Sequence, residues 1–121
     1  MAFLFESLSV YKKAVDFAEA VCKICDNMPK GNYHLSDQLN RASISIFTNI
    51  AEGNGRWHKK EKVNFFYISR GSAHECVPLL DLCRRRLLIT PPEHEKLILQ
   101  PEEIAKMIAG LIKGCKNEPN K

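Results

Sequence analysis

No stretch of this 121-residue chain approaches the ~20 consecutive apolar residues that a membrane span requires. Its start, MAFLFESLSV, has no basic residue ahead of a very short apolar run, so no secretory signal is expected. The expected location is the cytoplasm, without membrane attachment. No segment of any length alternates apolar and polar residues as a half-buried strand does, which argues against a β architecture. Internal repeats and low-complexity segments are also lacking. The five cysteines, Cys22, Cys25, Cys76, Cys83 and Cys115, are odd in number. They are read as reduced thiols rather than a disulfide framework.

Ligand and catalytic patterns are missing too. Cys22-x-x-Cys25 is followed by no second cysteine pair at zinc spacing, and both thiols fall on the apolar stripe of one helix, where cysteine acts as a small buried hydrophobe. His34, His58, His74 and His94 show no H-E-x-x-H spacing, and the inward Glu-x-x-His motif of di-iron bundles does not occur. No metal, cofactor or catalytic residue is expected, so the chain is read as a non-enzyme. A nuclease using Glu52 and Glu75 is the weaker alternative, because an ion pair explains Glu52 more simply.

What is present is ordinary in amount and uneven in placement. Apolar residues make up 45% of the chain and charged residues 26%, typical of a single globular domain able to bury a core. The net charge is +4, yet residues 56–86 hold eight bases against three acids, while the remainder is close to balance. That asymmetry points to an anionic partner for one region, against the simpler alternative of a solvated basic face.

Helical periodicity appears four times, over about residues 7–28, 35–53, 58–88 and 92–115, leaving 116–121 as a frayed tail. The first helix places Leu8, Tyr11, Val15, Ala18, Cys22 and Cys25 on one stripe. The second has the core stripe Leu35, Leu39, Ala42, Ile46 and Ile50, and Gly53 is expected to close it in the left-handed conformation. Ile44, Phe47 and Ala51 form a second apolar wall, while Gln38, Arg41, Ser45, Asn49 and Glu52 share a polar face. Such a helix is either central in a bundle or one side of an oligomer interface. The third has the stripe Phe65, Ile68, Ser72, Cys76, Leu79, Cys83 and Leu87, a small-residue patch at Ser69, Gly71, Ser72 and Ala73, and a kink or break at Pro78. Pro101-Glu102-Glu103 reads as a helix start, with residues 93–99 either a separate short helix or an earlier start kinked at Pro101. Four helices with short connections predict an all-α, antiparallel up-down-up-down four-helix bundle.

The stretch NIAEGNGRWHKK, residues 49–60, contains a Gly-x-Gly. A dinucleotide-binding loop needs a strand before it, and here a helix precedes, so the glycines are read as a helix stop and turn. Arg56, His58, Lys59 and Lys60 then crowd the positive end of the next helix, which local stability disfavours and phosphate would relieve. On the outward face of the third helix, Lys60, Tyr67, Arg70, His74 and Arg85 interleave bases with an aromatic ring, the ingredients of backbone contact plus base stacking. The alternative is an exposed face with one snorkelling tyrosine.

The segments FESLSVYKKA, YHLSDQLNRASISIFTNIAEGNGR and FFYISRGSAHE together resemble the 23S rRNA intervening-sequence protein family, over nearly the whole chain from Phe5 to about Cys115. The resemblance rests on Gln38, Arg41, Ser45, Ile46, Asn49 to Gly53, Gly55, Arg56, Gly71, Ser72 and Glu75. It implies an antiparallel four-helix bundle that assembles as a homopentamer, and fold kinship with the nucleic-acid-binding accessory protein of diversity-generating retroelements. No established activity comes with it. Pro78 and Pro101 depart from the family pattern.

Taken together, the expected nucleic-acid contacts are Arg41, Arg56, Lys59, Lys60, Lys62, Tyr67 and Arg70, with RNA or DNA as partner. Ile44, Phe47 and Ala51 are the expected oligomer interface, and Gln38, Ser45, Asn49, Glu52 and Glu75 a structural polar network. A protein-interaction scaffold without nucleic-acid binding, recruiting a partner protein, is the alternative.

Overall fold

The computed structural model describes the backbone of residues 2–119 and the side chains of residues 9–119. It contains four helices, α1 (Ala2–Asp26), α2 (Tyr33–Asn54), α3 (Lys59–Arg85) and α4 (Pro91–Lys116), and no strand among the described residues. Each helix packs on its two neighbours in a closed square, α1 on α2, α2 on α3, α3 on α4 and α4 on α1. Pairings across each joint run in opposite senses. Tyr11 meets Phe47 and Cys25 meets Ser36 between α1 and α2. Ser45 meets Ser72 and Gly53 meets Lys62 between α2 and α3. Tyr67 meets Lys116 and Asp81 meets His94 between α3 and α4. The molecule is therefore the antiparallel bundle expected from four periodic segments joined by short loops. No helix among the described residues is long and apolar enough to cross a membrane.

Two core stripes are rotated from their expected positions. In α1 the fully buried row is Val10, Ala14, Phe17 and Val21, joined by Ala18 and Cys25, while Tyr11, Val15 and Cys22 are only half-buried. This helix touches both α2 and α4, so its buried arc is centred between two apolar rows rather than on the expected one. The side chain of Leu8 lies outside the described residues. In α3 the inward row is Val63, Phe66, Ser69, Ala73, Cys76, Leu80 and Cys83. Ile68 is 45% exposed and Leu87 88% exposed, against the expectation that both are core. Hydroxyl chemistry explains the rotation. Ser69 donates to the Ile46 carbonyl at 2.7 Å, so a polar side chain enters the core already satisfied and lets α2 approach closely. The α2 stripe, Leu35, Leu39, Ala42, Ile46 and Ile50, is buried as expected.

The glycine expectation is corrected as well, and of the proline alternatives the break is excluded. Gly53 does not end α2 in a left-handed turn. It lies inside the helix, buried, and the chain leaves after Asn54 with Gly55 as a right-handed cap. Gly53 is there because a Cβ would stand 2.6 Å from Cε1 of Phe66. Pro78 and Pro101 both sit within continuous helices, so neither α3 nor α4 is split. The start of α4 is at Pro91, the earlier of the two starts left open by the sequence. Thr90 accepts from the Glu93 amide at 3.2 Å, and the Glu93 carboxylate accepts from the Thr90 amide at 2.8 Å, closing a capping box. Of the expected tail, Lys116 is helical and Asn117 caps α4, while Asn120 and Lys121 lie outside the described residues.

Candidate nucleic-acid interface

The α2–α3 joint has an abrupt turn. At the end of α2 the Gly53 carbonyl accepts from the Arg56 amide at 3.2 Å, and Lys62 adds a donor to the carbonyls of Gly53 at 3.3 Å and Asn54 at 3.0 Å. Lys62 is thus a helix cap from the first turn of α3, a role its position in the sequence did not reveal. Arg56 is also held. Its guanidinium lies 3.1 Å from Glu52 and 3.7 Å from Glu61, and 4.7 Å over the ring of Phe65. Two carboxylates offset its charge locally, so of the bases at this corner it has the least left for an outside anion.

Trp57 is 73% exposed, and with His58, Lys59, Lys60, Lys62, Cys115, Glu118 and Pro119 it lines a surface pocket of about 240 Å³. Lys59 donates to the Glu118 carbonyl at 2.9 Å, which ties the end of α4 to the start of α3. Lys60 also borders a second, shallower depression of about 480 Å³ with Glu61, Val63, Asn64 and Tyr67. Tyr67 stands seven residues after Lys60, two helical turns on and on the same face. Arg70 lies 5.2 Å from its ring centroid, and Lys116, also at 5.2 Å, sits at the hydroxyl edge, donating to the hydroxyl at 2.7 Å. That hydrogen bond lowers the Tyr67 hydroxyl below the ordinary phenol range, by favouring the charged form.

Five of the seven expected contact residues, Lys59, Lys60, Lys62, Tyr67 and Arg70, lie along one side of α3 beside the C-terminal turn of α4. Arg41 does not join them. It is exposed on α2, ion-paired with Asp37 at 3.0 Å, one turn beyond the Ser45–Ser72 contact and away from the corner. Among the described residues, Lys60, Arg70 and Lys116 have no carboxylate partner. Lys116 was invisible to sequence reasoning because it meets Tyr67 across 49 positions, a separation no helical period can bridge. Trp57 carried a signal, a large aromatic beside three bases, that the pattern of α3 alone did not use.

Of the residues expected to make a polar network, Ser45 and Asn49 are hydrogen-bonded to each other. Asn49 donates to the Ser45 carbonyl at 2.8 Å and hydroxyl at 3.0 Å, and Ser72 reaches Ser45 at 2.8 Å. Glu52 turns to Arg56 instead, and Gln38 and Glu75 are exposed. Of the expected interface residues, Phe47 packs edge-on against Tyr11 within the chain, while Ile44 is 40% exposed and Ala51 is also exposed. No group of three or more His, Cys, Asp and Glu side chains among the described residues could hold a metal ion.

The model of the 23S rRNA-intervening sequence proteins matches residues 6–110. A solved structure of a protein of unknown function from the S23 ribosomal protein family of Bacteroides thetaiotaomicron superposes with a TM-score of 0.83. The two chains are 24% identical, and the match covers 89% of this chain and 98% of the other, so it speaks for the fold. Among curated proteins nothing matches. With four antiparallel helices and a family model that covers most of their length, the chain belongs to the 23S rRNA-intervening sequence protein family.

Proposed function

We propose that this protein binds the backbone of a nucleic acid along the α3–α4 face and carries out no chemistry on it. The observation that supports this most is Tyr67, with Arg70 beside its ring, Lys116 on its hydroxyl and Lys60 two turns away on the same face. Those three bases lack carboxylate partners among the described residues, so their charge is available to phosphates. Arg41, Arg56 and Lys62 have local partners and contribute less. The family's description refers to a 23S rRNA intervening sequence, which makes RNA the first partner to try. Five free thiols fit a reducing compartment, the cytoplasm.

The reading is tested by fluorescence anisotropy with labelled RNA and DNA at ~50 mM salt and above. Binding should weaken linearly on a log–log salt plot. Lys60→Ala or Lys116→Ala should each lower the slope by roughly 0.7–0.9, while Arg41→Ala leaves it nearly unchanged. Absence of binding to either nucleic acid at low salt overturns it.

A separate observation favours self-association. Ile44 on α2 and Ile68 on α3 are exposed on the two helices joined by the Ser45–Ser72 contact. A homo-oligomer that buries this face would multiply weak phosphate contacts. Light scattering should find more than one copy, and Ile68→Asp should dissociate it. A monomer at high concentration ends this reading.

A further inference from the structure

The two exposed aromatic rings beside Lys60 have a chemistry that phosphate binding alone does not use. Trp57 and Lys60 line one depression, Lys60 and Tyr67 the next, so a single lysine stands between two ring-bearing hollows. From Lys60 to Tyr67 the helix rises about 10 Å. We infer that this face takes a single-stranded segment, with unpaired bases stacked on Trp57 and Tyr67 and the intervening phosphates on Lys60, Arg70 and Lys116. This rests on the nucleic-acid reading above and adds the strandedness of the ligand and the two stacking residues.

The argument turns on which nucleic-acid surface each side chain can use. A duplex offers phosphates to lysine and arginine, but its bases are stacked on one another and their faces are covered. A single strand offers both the phosphate and the bare face of the base, and alternating bases and aromatic rings fit that combination. Trp57 is 73% exposed, which puts its ring within reach of such a base. Arg70 lies beside the Tyr67 ring and Lys116 at its hydroxyl edge, so a base stacked on the exposed part of the ring brings its neighbouring phosphate within reach of positive charge. Stacking is tolerant of base identity, so little sequence preference is expected.

Trp57 is the chain's single tryptophan, so fluorescence excited where the three tyrosines do not absorb reports on this site alone. Oligouridylate and oligothymidylate of about ten nucleotides should quench it, while an RNA duplex of equal length and inorganic phosphate should not. The strand that quenches at the lower concentration identifies RNA or DNA as the source. By anisotropy with labelled strands, Trp57→Ala and Tyr67→Ala should each weaken single-strand binding by roughly five-fold or more. Tyr67→Phe, which keeps the ring, should retain most of the affinity. Circular dichroism on the exposed-site variants separates loss of binding from loss of fold. Equal binding of duplex and single strand, with no quenching and no effect of Trp57→Ala, overturns the stacking inference and leaves backbone binding standing. No binding by any nucleic acid overturns both.

Discussion

Gly53 is required by contact rather than by conformation. A Cβ there would lie 2.6 Å and 2.8 Å from two carbons of Phe66, a ring with no exposed surface, and 3.2 Å from the Lys62 carbonyl. Alanine gains ~1 kcal/mol of helix propensity but overpacks the joint by roughly 1–3 kcal/mol, so Gly53→Ala should lower stability on balance. Urea denaturation measures this, and Phe66→Leu in the Gly53→Ala background should cost less than the two single changes summed. Leu87 is the converse case. Its φ of 63° is left-handed, and the Leu88 amide reaches the Cys83 carbonyl while the Leu87 amide reaches that of Arg84. These are the two bonds of a Schellman motif, which ordinarily has glycine at the position Leu87 holds. Leucine there is strained by ~1–2 kcal/mol and, being 88% exposed, returns little packing. Leu87→Gly should therefore raise the melting temperature, the gain trimmed by about 0.4–1 kcal/mol for the greater freedom of glycine in the unfolded chain.

Among the helices, α3 and α4 each carry an internal proline, and the two differ in what surrounds the ring. Pro78 is exposed, so Pro78→Ala restores the bond to the His74 carbonyl and gives up little packing. It should stabilise α3 by about 1–3 kcal/mol in thermal melts followed by far-UV circular dichroism. Pro101 is fully buried, and alanine there leaves a void against the core. Pro101→Ala should gain less than Pro78→Ala, and an equal gain would contradict the packing role assigned to the ring. The capping box at Thr90 and Glu93 explains why α4 begins ten residues ahead of Pro101. A Pro-Glu-Glu triplet resembles a helix start, but two reciprocal hydrogen bonds at Thr90 satisfy the end more fully. Both patterns are written in the chain, and the capping box, with Leu97 buried in the core behind it, accompanies the earlier start.

Across the whole molecule, the closed core holds its thiols neutral. Burial pushes Cys76 up to about 12, with Glu75 adding to the effect, and Cys83 to about 11, with Cys25 adding. In the unfolded chain both would ionise near the ordinary thiol value of 9.0. Below that value the thiols are neutral in both states and contribute no pH dependence. Between pH of about 9 and 11 the unfolded chain releases protons that the folded core retains, so stability falls as pH rises. Denaturant midpoints measured across that window should drop, and Cys76→Ala should drop less steeply. A slope unchanged by Cys76→Ala would remove the buried thiol as its cause.

Sequence periodicity alone determined four helices, their order and the antiparallel bundle, because amphipathic stripes and short loops are local properties that few topologies satisfy. It also marked α3 as the basic helix. Tertiary structure decided the rest. Which row of α1 and α3 faces inward depends on two neighbours at once, and a serine that finds the Ile46 carbonyl can be core where apolar counting places isoleucine. Which bases remain available depends on contacts between distant residues: Lys62 is taken by the end of α2 and Arg56 by two carboxylates, while Lys116 arrives from α4 to complete the pair of cations on Tyr67. Charge is written in the sequence, but its compensation is set by distances that only the packed helices establish.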